Sequence, residues 1–258
     1  MKDGTGLAPP TALLMGRKGS KGLPGKNTML ILGRKVMHYP LMATQNSIHV
    51  EHIFTSTDDE EIAEESKEYG SQLITRPPEL CTDTALFEDA LRHGYFEIKK
   101  QLGKPPEFLV ALMCNACTVN ASLIDQAIEM LRANSEADSA VTVSIYNMWS
   151  PLRARKLNEE GFLIPFVEFE YFGDPATLNC DRDSQGNVYF ADMSHSVCRP
   201  HCLENMETGM LPQKWMGHKI LPVLNVAGCD IDYDWQVPIV EFWLKANGFT
   251  EKETPYNN

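Results

Sequence analysis

Short apolar runs alternate with longer amphipathic segments along the first half of the chain. Strand-length runs rich in Val, Ile, Leu or Phe occupy residues 12–15, 52–55, 72–75, 108–113 and 140–144. Amphipathic segments of helical length lie between them, one of them over residues 86–102. Strands that alternate with helices are typical of βαβ units, which build a mostly parallel sheet. The pattern therefore predicts a doubly wound α/β fold.

Local signals place the starts and ends of several helices. Asp58 precedes three further acidic residues, so a capping side chain and first-turn acids would meet the positive end of a helix. Ser122 makes a similar start for a second helix. Near the C-terminus, the sequence predicts a strand over 219–224 and a closing helix over 237–247, with a glycine behind it.

The alternation breaks between residues 147 and 202. Pieces there combine proline with aromatic or acidic residues, as in Trp149-Ser150-Pro151 and Asp174-Pro175. We interpret roughly 147–202 as an inserted arm within a single domain that spans residues 1–258. An arm of this kind often makes dimers, so we expect a homodimer.

Charge and composition exclude several classes of protein. The chain has 23 basic and 35 acidic residues, a balance of −12, which argues against binding along a nucleic-acid backbone. No apolar run approaches the roughly 20 residues of a membrane-spanning helix, and the first ten residues lack the apolar core of a secretory signal. Seven scattered cysteines do not resemble a secreted disulfide framework. We expect a cytoplasmic protein.

The first predicted strand runs into a basic, glycine-rich segment. Residues 16–27 contain four glycines and four cationic side chains. Glycine lets backbone N–H groups approach phosphate oxygens, and the cations supply charge that the acidic chain otherwise lacks. The spacing fits neither the P-loop of ATPases nor the glycine fingerprint of dinucleotide-binding enzymes. The segment predicts a triphosphate site beyond a strand's carboxyl end, with a flexible basic surface loop as the alternative.

Two carboxylates near the C-terminus form a candidate metal site. Asp230 and Asp232 are two residues apart on what we interpret as the exit of a strand, so both side chains would leave the same face. Mg²⁺ is typically bound by one or two carboxylates, with substrate phosphates and waters completing the shell. A solvated acidic turn fits the residues alone equally well.

The glycine-rich segment also carries a motif: Arg17-x-Gly19-Ser20-Lys21-Gly22-x-Pro24-x-Lys26-Asn27. This motif resembles the signature of the CMP-sugar cytidylyltransferases, the family of acylneuraminate and related CMP-nonulosonate synthetases. Segments 56–62, 76–80 and 82–85 resemble later landmarks of that family in order, and Asp230 and Asp232 resemble its metal-binding pair. The similarity is strong over about 12–132, fair over 215–245 and weak between.

The resemblance implies a reaction and a set of contacts. An acceptor hydroxyl of an acidic sugar would attack the α-phosphorus of CTP and expel pyrophosphate, a reaction that depends on positioning and charge neutralisation. Lys21, with Arg17, would be the catalytic cation, and Mg²⁺ would bind at Asp230 and Asp232. The nucleotide would be held by Arg17, Gly19, Ser20, Lys21, Lys26, Asn27 and Arg76.

The acceptor half departs from the family pattern. After the strand at 108–113, the sialic-acid branch usually has a Q-P-T-S-P-L-R-like turn, whereas residues 114–120 here lack its Gln, prolines and Arg. Leu86 and Phe87 replace small hydroxyl residues. We therefore expect an acceptor other than ordinary N-acetylneuraminic acid, with Asn115 and Asn120 as contacts. The alternatives are activation of a 3-deoxy octulosonate or another acid, and a catalytically degenerate nucleotide-binding regulator.

Cysteine and histidine residues raise zinc binding as a further alternative. Four thiols and two imidazoles stand at tolerable spacings, in Cys114, Cys117, His195, Cys198, His201 and Cys202. The paired spacing is not that of a standard zinc finger, and free cysteine is commonly buried. We therefore interpret most of these cysteines as reduced, buried thiols.

Overall fold

The computed structural model describes residues 6–19, 22–182 and 185–256. The strands are β1 (Thr11–Met15), β2 (Leu30–Ile31), β3 (Arg34–Lys35), β4 (His52–Thr57), β5 (Gln72–Thr75), β6 (Leu109–Met113), β7 (Ser139–Ile145), β8 (Arg155–Leu157), β9 (Leu163–Pro165), β10 (Tyr189–Cys198) and β11 (Ile220–Leu224). The helices are α1 (His38–Gln45), α2 (Glu60–Lys67), α3 (Phe87–Leu102), α4 (Ala121–Ala133), α5 (Pro200–Glu204) and α6 (Val237–Ala246).

Seven strands form one sheet in the order β11-β7-β10-β6-β1-β4-β5. Only β10 among them runs antiparallel to its neighbours, β6 and β7. Alternate residues of β1 enter different cores: Leu14 packs with side chains of α1, α2 and α4, whereas Leu13 packs with side chains of α3 and α5. Helices thus cover both faces, and the predicted doubly wound, mostly parallel fold is confirmed.

Two predicted helix caps are wrong by one or two residues. Asp59, not Asp58, caps α2, because its backbone is extended and its carboxylate accepts hydrogen bonds from two amides of the first turn. Asp58 instead accepts a hydrogen bond of 2.9 Å from the backbone N–H of Lys18, in the glycine-rich segment. Asn120, not Ser122, caps α4, since its side chain accepts from the Leu123 amide.

The structure places part of the segment interpreted as an arm in the main sheet. Residues 147–182 and 185–188 lie outside the main sheet and include the small hairpin of β8 and β9. β10 and α5 also fall within 147–202, but β10 lies between β6 and β7 in the sheet, and Leu203 of α5 packs in its core. Polar residues such as Asp192 and His195 interrupt β10, which hid this strand from the hydrophobic pattern. Within the described residues, no helix combines the length and the apolar character needed to cross a bilayer.

Candidate active site

A cavity of about 360 Å³ lies beyond the carboxyl ends of β1 and β6. Its position matches the general location of ligand sites in open α/β sheets. Cations, carboxylates and amides share the lining with apolar side chains. The polar lining residues are Arg17, Lys26, Asn27, Arg76, Asn115, Asp230 and Asp232, and the apolar ones include Met15, Leu80, Ala85, Leu86, Phe87 and Met113.

The glycine-rich segment passes close to other backbone and side-chain atoms. A Cβ on Gly16 would lie 2.5 Å from Cys114 Sγ, and one on Gly22 would lie 2.7 Å from the carbonyl oxygen of Asp232. Gly19 has a φ of 73°, in the left-handed region. The glycines at these positions are therefore needed for the local path of the chain. Ser20 and Lys21 lie outside the described residues.

Carboxylates hold two of the cavity's cations. Arg17 Nη1 lies 2.9 Å from Asp83 Oδ1, and Lys26 Nζ forms an ion pair with Asp232 Oδ1. The Asn27 amide donates a hydrogen bond of 3.4 Å to the Arg17 carbonyl. These contacts fix two cations of the cavity lining, and an anionic ligand must compete with the carboxylates for them.

Arg76 supplies a buried positive charge. Its side chain follows β5, is 6% exposed, and donates a hydrogen bond of 2.7 Å from Nη2 to the Ser56 carbonyl. Burial lowers the pKa of Arg76 from its ordinary value. A guanidinium nevertheless remains protonated in proteins, so Arg76 contributes a fixed cation to the cavity wall.

The two aspartates converge on the cavity, but they do not leave a strand end as predicted. β11 ends at Leu224, and both residues lie in the loop that leads to α6. Asn115 fixes this loop: its backbone oxygen accepts from the Ile231 amide at 2.9 Å, and its side chain donates to Asp230 Oδ2 at 3.2 Å. Burial, and secondly the negative charge of Asp232, raise the pKa of Asp230. Two neighbouring carboxylates of this kind favour a bound cation.

A buried polar network lies beneath the carboxylate loop. Thr118 Oγ1 accepts from the Cys229 amide at 3.0 Å, and Ser144 Oγ accepts from the Gly228 amide at 2.9 Å. Ser144 also donates a hydrogen bond of 3.1 Å to the buried carboxylate of Asp192, whose pKa is raised by burial. Asp192 lies where the β7–β10 pairing is irregular, a feature that often accompanies active sites. Sequence reasoning missed these residues, although a charged residue inside a strand was a usable signal.

The two asparagines expected to contact the acceptor lie in different places. Asn115 lines the cavity and is 8% exposed. Asn120 is absent from the described lining residues, because its side chain caps α4 and donates to Asn247 Oδ1 at 3.1 Å. Leu86 and Phe87 do line the cavity, so its wall on the side of α3 is apolar.

The structure separates the six residues considered for zinc. Cys114 and Cys117 follow the carboxyl end of β6, whereas Cys198 pairs with Leu109 at the amino end of that strand. Burial raises the pKa values of these three thiols. Burial also lowers the pKa of His195 to about 3, so its ring is neutral. A single site made of all six residues is therefore excluded.

Comparisons with known proteins show the family of this chain. A family model described as cytidylyltransferase matches residues 11–159, more than half of the chain. The chain is 22% identical over 249 residues to N-acylneuraminate cytidylyltransferase of Oncorhynchus mykiss, covering 95% of this chain and 52% of that protein. It is 32% identical over 190 residues to the Escherichia coli protein of the same name, covering 74% and 44%. It is 29% identical over 180 residues to pseudaminic acid cytidylyltransferase of Campylobacter jejuni, covering 69% and 76%.

The chain spans about half the length of the first two of these relatives, the Oncorhynchus mykiss and Escherichia coli proteins. Among solved structures, CMP:2-keto-3-deoxy-manno-octonic acid synthetase complexed with CTP is similar, with a TM-score of 0.64 at 13% identity. That match covers 93% of this chain and 99% of the other. A 4-diphosphocytidyl-2C-methyl-D-erythritol synthase from Anaerococcus prevotii aligns with a TM-score of 0.61 at 13% identity, covering 92% and 96%. These two likenesses establish the fold.

Proposed function

This chain belongs to the cytidylyltransferase family, and from that premise we propose that it transfers CMP from CTP to a hydroxyl of an acidic, nonulosonate-like sugar. The relatives' names support this acceptor class, since they specify N-acylneuraminate and pseudaminic acid. The observation that carries the proposal is the cavity itself, where three cations face two carboxylates beyond β1 and β6. Cations suit a triphosphate, and paired carboxylates suit its metal ion.

The cations of the cavity bind and orient the nucleotide. Arg17 and Lys26 neutralise the phosphates, and their present carboxylate partners release them when the triphosphate enters. On the family resemblance, Arg76 would lie beside the cytidine, and Asn27 would orient the nucleotide. Hydrogen bonds to Ser56 and to the Arg17 carbonyl hold these two side chains in place. Neutralised phosphates and an aligned acceptor hydroxyl lower the barrier for attack on the α-phosphorus with departure of pyrophosphate.

Mg²⁺ is the proposed cofactor, held by Asp230 and Asp232. The donor set fits a hard dication, because both groups are carboxylates. Burial, and secondly the negative charge of Asp232, raise the pKa of Asp230, and a bound cation would offset both effects. The ion would neutralise negative charge on the phosphates during transfer. Asn115 and the buried network under the loop hold the two carboxylates in position.

Lys21 is the proposed catalytic cation, with Arg17, on the basis of the family resemblance. Lys21→Ala should lower turnover by about 10²–10³, the usual effect of removing one charge-stabilising group. Lys18→Ala removes a neighbouring cation of the same segment and serves as the matched control. Equal turnover in the two variants would contradict the assignment.

The acceptor pocket is proposed to be selective against ordinary N-acetylneuraminic acid. Its wall carries Leu86 and Phe87 where hydroxyl groups were expected. Of the two asparagines predicted to contact the acceptor, Asn115 lines the cavity and Asn120 does not. Fewer polar partners for a carboxylated sugar should weaken its binding.

A homodimer is also proposed, in which a second copy covers the exposed aromatic side chains of segment 147–188. Trp149, Phe162, Phe166 and Tyr171 each expose half or more of their surface. Several exposed aromatic side chains within one segment favour an interaction surface. Light scattering after size exclusion measures the mass directly, and a monomer at micromolar concentration would contradict the proposal.

A screen of pyrophosphate release tests the function. Each of the four NTPs is combined with N-acetylneuraminic acid, modified nonulosonic acids or a 3-deoxy octulosonate, with Mg²⁺ or with excess EDTA. We expect pyrophosphate release with CTP and a nonulosonic acid in the presence of Mg²⁺, and none in excess EDTA. Release with the octulosonate only would reassign the acceptor. Equal activity with all four NTPs, or full activity in EDTA, would contradict the proposal.

A further inference from the structure

A second cluster of side chains that can ligate a metal lies at the amino end of β7, on the opposite side of the sheet's strand ends from the cavity. Asp138 directly precedes β7, and His201 and Cys202 lie in α5. β7 runs parallel to β6, because β10 is antiparallel to both, so the amino end of β7 faces away from the carboxyl ends that surround the cavity. The cluster is therefore separate from the nucleotide site.

The three side chains bring one ligand atom each to the same place. A carboxylate oxygen of Asp138, a ring nitrogen of His201 and the Sγ of Cys202 all lie within 4.8 Å of one another. His201 Nε2 is 2.9 Å from Asp138 Oδ1. Ligands around tetrahedral zinc, bound at about 2.0–2.3 Å, stand roughly 3–4 Å apart. The observed separations match this arrangement after small side-chain rotations.

The carboxylate of Asp138 is already oriented by backbone groups. Its Oδ2 accepts hydrogen bonds from the amides of His218 and Lys219, at 2.7 and 2.9 Å. This leaves Oδ1 directed at the His201 ring. Outer hydrogen bonds that fix a ligating carboxylate in this way are a regular feature of protein metal sites.

The cluster is open enough for an ion to enter. A cavity of about 340 Å³ is lined by Asp138, His201 and Cys202, and the His201 side chain is 52% exposed. This space leaves room for a water molecule as a fourth ligand. Three protein ligands with one open position are a known zinc arrangement.

We propose that Asp138, His201 and Cys202 bind a Zn²⁺ ion that ties the start of β7 to α5. A thiolate and an imidazole in the ligand set favour zinc over magnesium or calcium, which prefer oxygen ligands alone. Zinc binding replaces the thiol proton of Cys202 with the metal and releases that proton to solvent. A cysteine thiol without metal is mostly protonated near neutral pH, so about one proton should be released for each zinc bound.

Cobalt titration of the full chain, freed of metal with a chelator, tests the site. Co²⁺ bound to a thiolate gives a charge-transfer band in the near ultraviolet, and tetrahedral Co²⁺ gives intense visible bands. We expect one equivalent of Co²⁺ to produce both, and Zn²⁺ to remove them. Calorimetry in two buffers of different ionisation enthalpy should show release of about one proton for each zinc bound.

Two variants and one control keep the test decisive. Cys202→Ser should abolish the charge-transfer band, and His201→Gln, at an exposed position, should weaken Co²⁺ binding at least about tenfold. Cys180→Ser removes an exposed thiol elsewhere and should change neither signal. If the wild-type chain gives no charge-transfer band, or if Co²⁺ binds equally in all variants, His201 and Asp138 form only an ion pair. These signals do not depend on CTP turnover, so the result is independent of the proposed function.

Discussion

The ion pair between Lys26 and Asp232 predicts a variant whose effect changes sign with Mg²⁺. In the metal-free protein the Asp232 carboxylate forms an ion pair with the Lys26 ammonium. The proposed triphosphate ligand needs the same ammonium group. Asp232→Asn should therefore strengthen CTP binding without metal, because it frees a cation and removes a negative charge that faces the phosphates. With Mg²⁺ present the same variant should weaken binding and turnover, since a proposed metal ligand is lost.

The magnitude follows from the exposure of the pair. Two unit charges 4 Å apart interact by about 1 kcal/mol in water and about 4 kcal/mol at an effective dielectric constant near 20. The Asp232 side chain is 53% exposed and that of Lys26 13%, so solvent screening places the pair at about 1 kcal/mol or below. CTP should bind up to about fivefold more tightly to Asp232→Asn in EDTA. In Mg²⁺, turnover should fall by about 10²–10³.

Calorimetric titration of CTP with EDTA and with Mg²⁺ measures both effects, and pyrophosphate release gives turnover. Asp234→Asn is the control, because it makes the same change in net charge two residues away. Asp234 is exposed, and its carboxylate accepts a hydrogen bond from the Trp235 amide. This variant should leave CTP binding and turnover near wild type. Weaker CTP binding to Asp232→Asn in EDTA, or unchanged turnover in Mg²⁺, would refute the idea that Lys26 leaves Asp232 to bind the triphosphate.

Three further results are expected. Burial and the charge of Asp232 raise the folded-state pKa of Asp230, so its ionised form destabilises the metal-free fold as pH rises. Asp230→Asn should thus raise the metal-free Tm near about pH 7, with no difference below about pH 4, and a lower Tm near pH 7 would contradict this reasoning. A Cβ on Gly228 would overlap Asp192 Oδ2 and Asn225 Nδ2, so Gly228→Ala should displace the carboxylate loop, at about 1–3 kcal/mol, and weaken Mg²⁺ binding measured by calorimetry. N-acetylneuraminic acid at saturating CTP should give kcat/KM well below about 10⁵ M⁻¹s⁻¹, and a value near that figure would show that the acceptor inference is wrong.

The local pattern placed most regular elements well. The predicted strand at 72–75 coincides with β5, and the predicted helix at 86–102 differs from α3 by one residue. Such elements carry their own signal, because side-chain periodicity reports directly on which face is buried. The caps of α2 and α4 were misplaced because two nearby residues in each case have side chains that can cap a helix. At α2 a distant partner engages one of them: Asp58 accepts the Lys18 amide, and Asp59 is the cap. At α4 Ser122 donates to Asn120, which is the cap.

The sequence by itself determined the α/β architecture and the glycine-rich cationic segment, and it identified Asp230 and Asp232 as candidate metal ligands. Only the tertiary structure decided that these aspartates meet in a loop, that Asn115 rather than Asn120 reaches the cavity, and that Asp138 joins His201 and Cys202. The physical reason is the range of the interactions involved. Periodicity and composition act between near neighbours, whereas these contacts join residues brought together by strand pairing, by loop packing and by buried hydrogen bonds.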